Sequence, residues 1–197
     1  MAMLYLKQQI NPHFLYNTLD MIRLKAAINK DTEVSQMLMK LVSFYRLSTK
    51  VYDSMVAVRK EVEMLDAYMS LMCYRYSDII YRSEIEPGAL DIEIPNFILQ
   101  PLLENSLMHG LKDRRYQGTI ILKIYRNEQD KNELNIWLID DGIGIPDDKM
   151  AELNAYNAKD SEALYRVQTR TEGDRTHLGV INVISRLKLY YQGNAEV

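Results

Sequence analysis

Nothing in this chain offers a disulfide, a membrane span or a strongly charged field. A single cysteine, Cys73, cannot pair internally and has no metal or redox motif around it, so a reducing compartment is the simpler setting and the thiol is read as inert. No run approaches the roughly 18 apolar residues of a transmembrane helix, and the N-terminus lacks the basic-then-apolar pattern of a signal peptide. Charge of one sign is missing too. The 24 Lys and Arg against 27 Asp and Glu are interspersed, which leaves no basic surface for nucleic acid or an anionic membrane, and neither is expected as a partner. There are no internal repeats and no low-complexity tracts. What is present is 197 residues, room for one compact domain plus a smaller helical unit.

Periodicity divides the chain into a helical front and a mixed rear. Apolar residues recur at helical spacing from Ala2 to about Ile28, and a second helix is expected from about Glu33 to Ser48 on the stripe Val34, Met37, Leu38, Leu41, Phe44, Tyr45. The polar link Asn29-Lys30-Asp31-Thr32 carries cap residues, so the two fold back as a hairpin. A third helix follows from Arg59 to about Tyr76. In the rear, Ile79 to Glu86 reads as a strand, Glu86-Pro87-Gly88 as a turn, and Pro95 as the opening of a helix that contains Phe97, Leu99, Leu102, Leu103 and Leu107. Thr119–Tyr125 and Leu134–Ile139 read as a strand hairpin, Ile145-Pro146 precedes a short helix, and a last helix runs from about Gly179 to Tyr190. The roughly 20 polar residues between Asn157 and Arg175 form a long loop of the kind that is functional or disordered.

Near the start, the stretch QINPHFLYN places Pro12 beside His13. At about 100° per residue, Ile10, Phe14, Leu15, Leu19 and Ile22 share one broad arc, whereas His13 lies opposite, among Gln9, Tyr16 and Asp20. His13 is therefore expected to be exposed, with Asn17 one turn above it and able to reach the imidazole. Pro12 either bends the helix just before His13 or starts a new one capped by Asn11.

Three stretches in the rear carry chemistry: Leu99-Gln100-Pro101-Leu102-Leu103-Glu104-Asn105-Ser106-Leu107-Met108-His109-Gly110 on a helix, Asp140-Asp141-Gly142-Ile143-Gly144-Ile145-Pro146 at a strand end, and Thr176-His177-Leu178-Gly179-Val180 opening the last helix. Each alone is an ordinary surface amide, turn or helix start. Together they supply a hard oxygen ligand suited to Mg²⁺, a strand-end carboxylate able to accept from an exocyclic amine, and glycines that let backbone approach a nucleotide. A helix N-terminus after a loop adds an anion site. The set reads as an ATP site without a P-loop lysine motif.

These stretches resemble the N, G1 and G2 boxes of the Bergerat-type ATPase fold shared by gyrase, the Hsp90 chaperones, histidine kinases and MutL. With NPHFLYN added, nearly the whole chain resembles the LytS/YesM-like group of bacterial sensor histidine kinases, with the motifs in family order. The resemblance implies an α+β chain in two parts: residues 1–55 as a dimerisation and phosphoacceptor hairpin that forms a four-helix bundle in a homodimer, and residues 56–197 as an ATP-binding α/β sandwich with helices on one face of a mixed sheet. It implies that His13 accepts the phosphoryl group, that Asn105 holds the Mg²⁺ bridging the ATP phosphates, and that Glu104 assists the metal's water shell or proton transfer. His109 could touch the phosphates or simply end its helix. Asp140 would accept from the adenine amine, Gly142 and Gly144 would make room for the base, and Gly179 would open the helix that meets the phosphates. Asp147 to Arg175 would be the lid, with Arg170 and Arg175 as phosphate contacts or solvated charges.

The implied activity is that of a protein-histidine kinase in two-component signalling, passing phosphate from ATP to His13 and on to an aspartate of a response-regulator receiver domain. In most histidine kinases an acidic residue follows the acceptor; here Phe14 does, so the group that orients His13 is not identified by resemblance. Asn17 stands where other families align a water for phosphatase action. His177 occupies a place where the second glycine box often has glycine. The family fold would continue past Val197 into closing strands, and sensor and membrane segments are expected before Met1, with this part on the cytoplasmic side of a bacterial membrane. Two alternatives stay open: a non-catalytic ATP-binding dimerisation module, and a same-fold ATPase or protein kinase of the anti-sigma type.

Overall fold

Helix α1 (Pro12–Ile28) is the first element of the computed structural model, which describes residues 12–49, 54–127, 129–130, 133–158, 178–191, 195 and 197. The part of the expected first helix before Pro12, and with it the choice between a kink and a fresh start at that proline, lies outside the described residues. After α1 the chain turns through Lys30, in the left-handed region at φ 61°. It then enters α2 (Thr32–Ser48), where the Asp31 carboxylate accepts the Val34 N–H at 3.1 Å. That bond satisfies one of the N–H groups a helix start leaves open, and the expected hairpin forms.

The face of α1 that meets α2 is not the expected one. Tyr16, assigned by the wheel to the outside, packs edge-on against Tyr45 with ring centroids 5.4 Å apart, and its hydroxyl pairs with Thr49. Arg46 lies over the Tyr16 ring, and Ala26 is buried. Phe14 and Ile22, expected inside, are 67% and 47% exposed. Among the described residues, a single neighbouring helix covers only a strip of α1, and Phe14, Met21, Ile22, Leu24 and Ile28 stay exposed.

The described residues group into two compact units, 12–49 with 66–77 and 54–65 with 78 onward. In the first, the later part of α3 (Val58–Arg75) lies beside the hairpin: Phe44 meets Tyr68 at 5.3 Å, Lys40 Nζ donates to Ser70 Oγ at 2.6 Å, and the Tyr74 hydroxyl donates to the Glu33 carbonyl at 2.9 Å.

The second unit is a mixed α/β layer. Strand β1 (Met55–Ala57) pairs antiparallel with β3 (Glu93–Pro95). A three-stranded sheet has the order β2 (Ile79–Ile85), β4 (Gly118–Arg126), β5 (Leu134–Asp140), with β2 and β4 parallel and β4 and β5 antiparallel. Ile120, Leu122 and Ile124 alternate onto the covered face and are fully buried, whereas Trp137 and Ile139 are 53% and 41% exposed on β5; the period-2 pattern puts one face in the core. Helices α4 (Leu99–Asn105), α5 (Asp147–Asn157) and α6 (Leu178–Tyr191) complete the unit, and Val180 and Ile184 of α6 pack with Leu102, Leu153 and Tyr156.

Pro95 does not open a helix. It ends β3, and Phe97 sits at φ 59°, so α4 starts only at Leu99. A proline suits the end of a two-stranded edge pair because it has no N–H to offer a ladder. Residues 159–177, which hold most of the expected lid with Arg170, Arg175, Thr176 and His177, lie outside the described residues. Among the described residues, no helix is long and apolar enough to cross a membrane.

Candidate functional site

Leu99, Leu103, Leu107 and Leu111 recur every four residues and are buried, which holds α4 and its continuation against the sheet. The continuation, Ser106–Leu111, is π-helical, a local widening that is rare and tends to sit at functional places. The remaining surface of this helix carries Glu104 and Asn105, both half-buried, and the exposed His109. Gln100 Nε2 donates to Glu104 Oε1 at 2.8 Å, an (i, i+4) pair that holds the carboxylate along the helix.

Two of the three motif stretches meet at the end of β5. Asp140 Oδ2 accepts from the Ser106 hydroxyl at 2.7 Å and Oδ1 accepts from the Gly142 N–H at 3.0 Å. The Ile143 N–H donates to the Gly110 carbonyl at 3.1 Å, so the loop after β5 lies directly on the π-helical turn. The neighbouring Asp141 is spent on structure: its Oδ1 accepts the Thr119 N–H at 2.8 Å, and Arg114 donates to its carbonyl. A carboxylate has about four acceptor positions, so Asp140, held by two donors, keeps capacity for a further one. The third stretch enters through Gly179, where an added Cβ would stand 3.5 Å from Pro101 Cβ, so α6 starts alongside the first turn of α4.

Each glycine of this loop has a structural reason of its own. A Cβ on Gly142 would stand 2.5 Å from the Gly110 carbonyl oxygen and 2.6 Å from Asp140 Oδ1, so close backbone approach by itself requires glycine there. Gly144 has open space around it and a φ of 78°, which favours glycine on conformational grounds.

His13 and Asn17 belong to the first unit. Both are exposed, as expected, and the Asn17 amide nitrogen lies 3.3 Å from His13 Nδ1 and 3.5 Å from Nε2.

Sequence reasoning missed three residues. Ser106 and Gly110 are small side chains four apart on a leucine-rich helix, a pattern that marks a close approach. Glu61 is 1% exposed, and its carboxylate accepts three successive backbone N–H groups: Phe97 at 2.8 Å, Ile98 at 3.1 Å and Leu99 at 3.0 Å. Burial pushes its pKa up, while the three N–H groups and the positive Arg186 pull the other way. Its legible signal was a charge lying inside the apolar stripe Val58, Val62, Leu65.

Residues 1–80 match the family model described as histidine kinase. Over 174 residues, 84% of this chain, the sequence is 34% identical to the sensor protein LytS of Oceanobacillus iheyensis. This chain belongs to the LytS-like sensor histidine kinases. It is also 27% identical over 190 residues to the sensor histidine kinase YpdA of Escherichia coli. The LytS-like chain spans 29% and 30% of the length of these two relatives. A solved histidine kinase domain from the Erythrobacter litoralis EL346 blue-light activated histidine kinase covers 83% of this chain and 72% of its own at TM-score 0.41 and 16% identity.

Proposed function

We propose that this chain is the dimerising and ATP-binding part of a sensor histidine kinase, transferring the γ-phosphoryl group of ATP to His13 and from there to an aspartate of a response-regulator receiver domain. The observation that carries the reading is the Asp140 carboxylate, oriented by Ser106 and Gly142 beside the helix that bears Glu104 and Asn105. Asp140 would accept from the adenine 6-amino group, a contact that 6-oxo purines cannot supply. Gly179, in the first turn of α6, would bring backbone N–H groups to the phosphates; His109 would add a contact there.

The donor set suits Mg²⁺ delivered with ATP. Among the described residues no group of three or more His, Cys, Asp and Glu could hold a metal unaided. The Asn105 amide oxygen, with Glu104 beside it, offers the one or two hard oxygens that Mg²⁺ takes from a protein when phosphates and water fill its other positions. When bound, the ion would neutralise phosphate charge. Phosphoryl transfer asks chiefly for alignment. The His13 lone-pair nitrogen forms the new N–P bond as the bond to the β,γ-bridging oxygen breaks, ADP leaves with that electron pair, and the ring proton passes to solvent. With its amide rotated, Asn17 would accept from the other ring N–H and fix the tautomer that leaves the attacking lone pair outward. The same side chain could align water for the reverse, phosphatase, reaction.

The uncovered apolar face of α1, with Phe14, Met21, Leu24 and Ile28 exposed, supports pairing of two hairpins into a four-helix bundle. The same reading divides the chain at residues 55 and 56 into hairpin and ATP-binding part and places it on the cytoplasmic side of the membrane that carries the sensor. One observation favours a module that binds ATP without catalysis: the residue after His13 is Phe14, 67% exposed and unable to move a proton.

Incubation with Mg²⁺ and γ-labelled ATP decides between them. The kinase reading expects protein-bound label that is labile in acid and stable in alkali; nucleotide binding without such label would leave the binding module. A smaller effect is expected at Ser106. Ser106→Ala removes one of the two donors orienting Asp140 and should weaken ATP about three- to tenfold, which corresponds to the roughly 0.6–1.4 kcal/mol of one ordinary hydrogen bond. Titration against a triphosphate lacking the 6-amino group, whose affinity should not change, checks it.

A further inference from the structure

Glu61 is a buried carboxylate on α3 that takes no part in the phosphoryl transfer just described. We infer that it is a positioning residue for nucleotide binding, fixing the start of α4 and, together with Arg186, tying that start to α6, so that the helices offering Asn105 and Gly179 keep one spacing. The inference rests on the ATP-site reading of those two helices.

The geometry singles out a joint rather than a routine cap. Position 98, the N-cap of α4, is an isoleucine with no side-chain cap bond. A Ser or Asp there would satisfy the open N–H groups locally, with far less desolvation than a carboxylate that is 1% exposed. A local cap would fasten α4 only to itself. The carboxylate that does the work instead comes from a helix up to 38 residues away in sequence, with Oε1 on Phe97 and Oε2 shared by Ile98 and Leu99. Phe97 at φ 59° turns its N–H into the same convergent set, a nest of successive amides of the sort that holds anions. Here the anion is the protein's own.

The second tie comes from α6. The Arg186 guanidinium donates to the Asn96 carbonyl, one residue before Phe97, and its charge acts favourably on ionised Glu61. Asn96 is itself held, donating its N–H to the Ser54 carbonyl at 3.0 Å. α3, the segment before α4, and α6 are thus joined within a few residues. From Leu99 the helix runs about 9 Å to Asn105, and from Arg186 back to Gly179 about 10 Å, so a small shift at the joint is carried to both nucleotide-facing positions. Glu61 is sealed from ligand and its oxygens are occupied by backbone, so it acts through the helices and touches no substrate.

The test uses the whole chain and measures the Kd for ATP with Mg²⁺ at a temperature where circular dichroism shows each variant folded. Glu61→Gln keeps the shape but turns an amide NH₂ toward backbone N–H groups, and Arg186→Met keeps the stem without the charge. Glu61→Gln is expected to weaken ATP about tenfold in the folded protein and Arg186→Met about threefold. A purely structural carboxylate would lower the melting temperature and leave the Kd of the folded fraction where it was, which would overturn the inference. If Glu61→Gln does not fold, Arg186→Met decides alone, weakened binding supporting the joint and unchanged binding refuting it. Wild-type protein that binds no nucleotide would overturn the ATP-site reading, and the inference with it. A wild type that binds while both folded variants bind equally well would sink the inference alone.

Discussion

A His13→Gln variant incubated with Mg²⁺ and γ-labelled ATP is expected to carry no acid-labile phosphate while binding ATP within about twofold of wild type. The reason lies in the chemistry of one lone pair. Neutral imidazole presents a nitrogen whose lone pair is free to attack phosphorus, whereas the glutamine amide nitrogen is delocalised into its carbonyl and is not a nucleophile. Size and polarity are otherwise similar. His13 is exposed on α1, so the change should cost no more than about 0.5 kcal/mol of stability. Asn105→Ala should also lose the label, but by losing Mg²⁺-ATP, and the pair of variants therefore separates acceptor from nucleotide site. Label that persists in His13→Gln would mean that phosphate sits elsewhere and that the central assignment is wrong.

The second large effect is expected at Gly142. Gly142→Ala places a methyl group 2.5 Å from the Gly110 carbonyl oxygen and 2.6 Å from Asp140 Oδ1. The first of these is backbone in a helix and cannot swing aside, so the loop must move. Movement lengthens the 3.1 Å bond from the Ile143 N–H to Gly110 and the 3.0 Å bond from the Gly142 N–H to Asp140. Overpacking of this kind costs about 1–3 kcal/mol, or roughly 2–12 °C in melting temperature for a chain of this size. ATP affinity should fall more than tenfold, since Asp140 loses a donor and its position together. Gly144→Ala is the control. Nothing lies within 4 Å of its new methyl group, so it should cost only about 1 kcal/mol, the penalty for a left-handed alanine, and leave affinity nearly unchanged. Equal losses in both variants would show that the loop needs flexibility rather than the close approach at Gly110.

How much of this was legible beforehand depended on how local each feature is. The helical hairpin followed from periodicity and from Asp31, because a cap three residues from its N–H partner is a property of the adjacent sequence. The β4–β5 hairpin followed likewise from two β-rich runs around a polar link. The helix start at Pro95 failed, because what begins α4 is not a residue beside it. Phe14 and Ile22 failed as core positions for a related reason: a wheel reports which residues could share a face, not how wide a strip the neighbour covers.

By itself, then, the sequence determined the order of elements, the exposure of His13 with Asn17 beside it, and the three stretches that, with NPHFLYN, resemble those of LytS-like histidine kinases, since each is written in residues close together. Only the tertiary structure decided that Tyr16 rather than Phe14 meets α2, that the Ser106 hydroxyl and the Gly142 N–H hold Asp140, and that Glu61 starts α4 from 36 to 38 residues away. Those contacts depend on where the chain returns to in space. A buried carboxylate reveals its task only when the backbone amides that satisfy it have been brought to it.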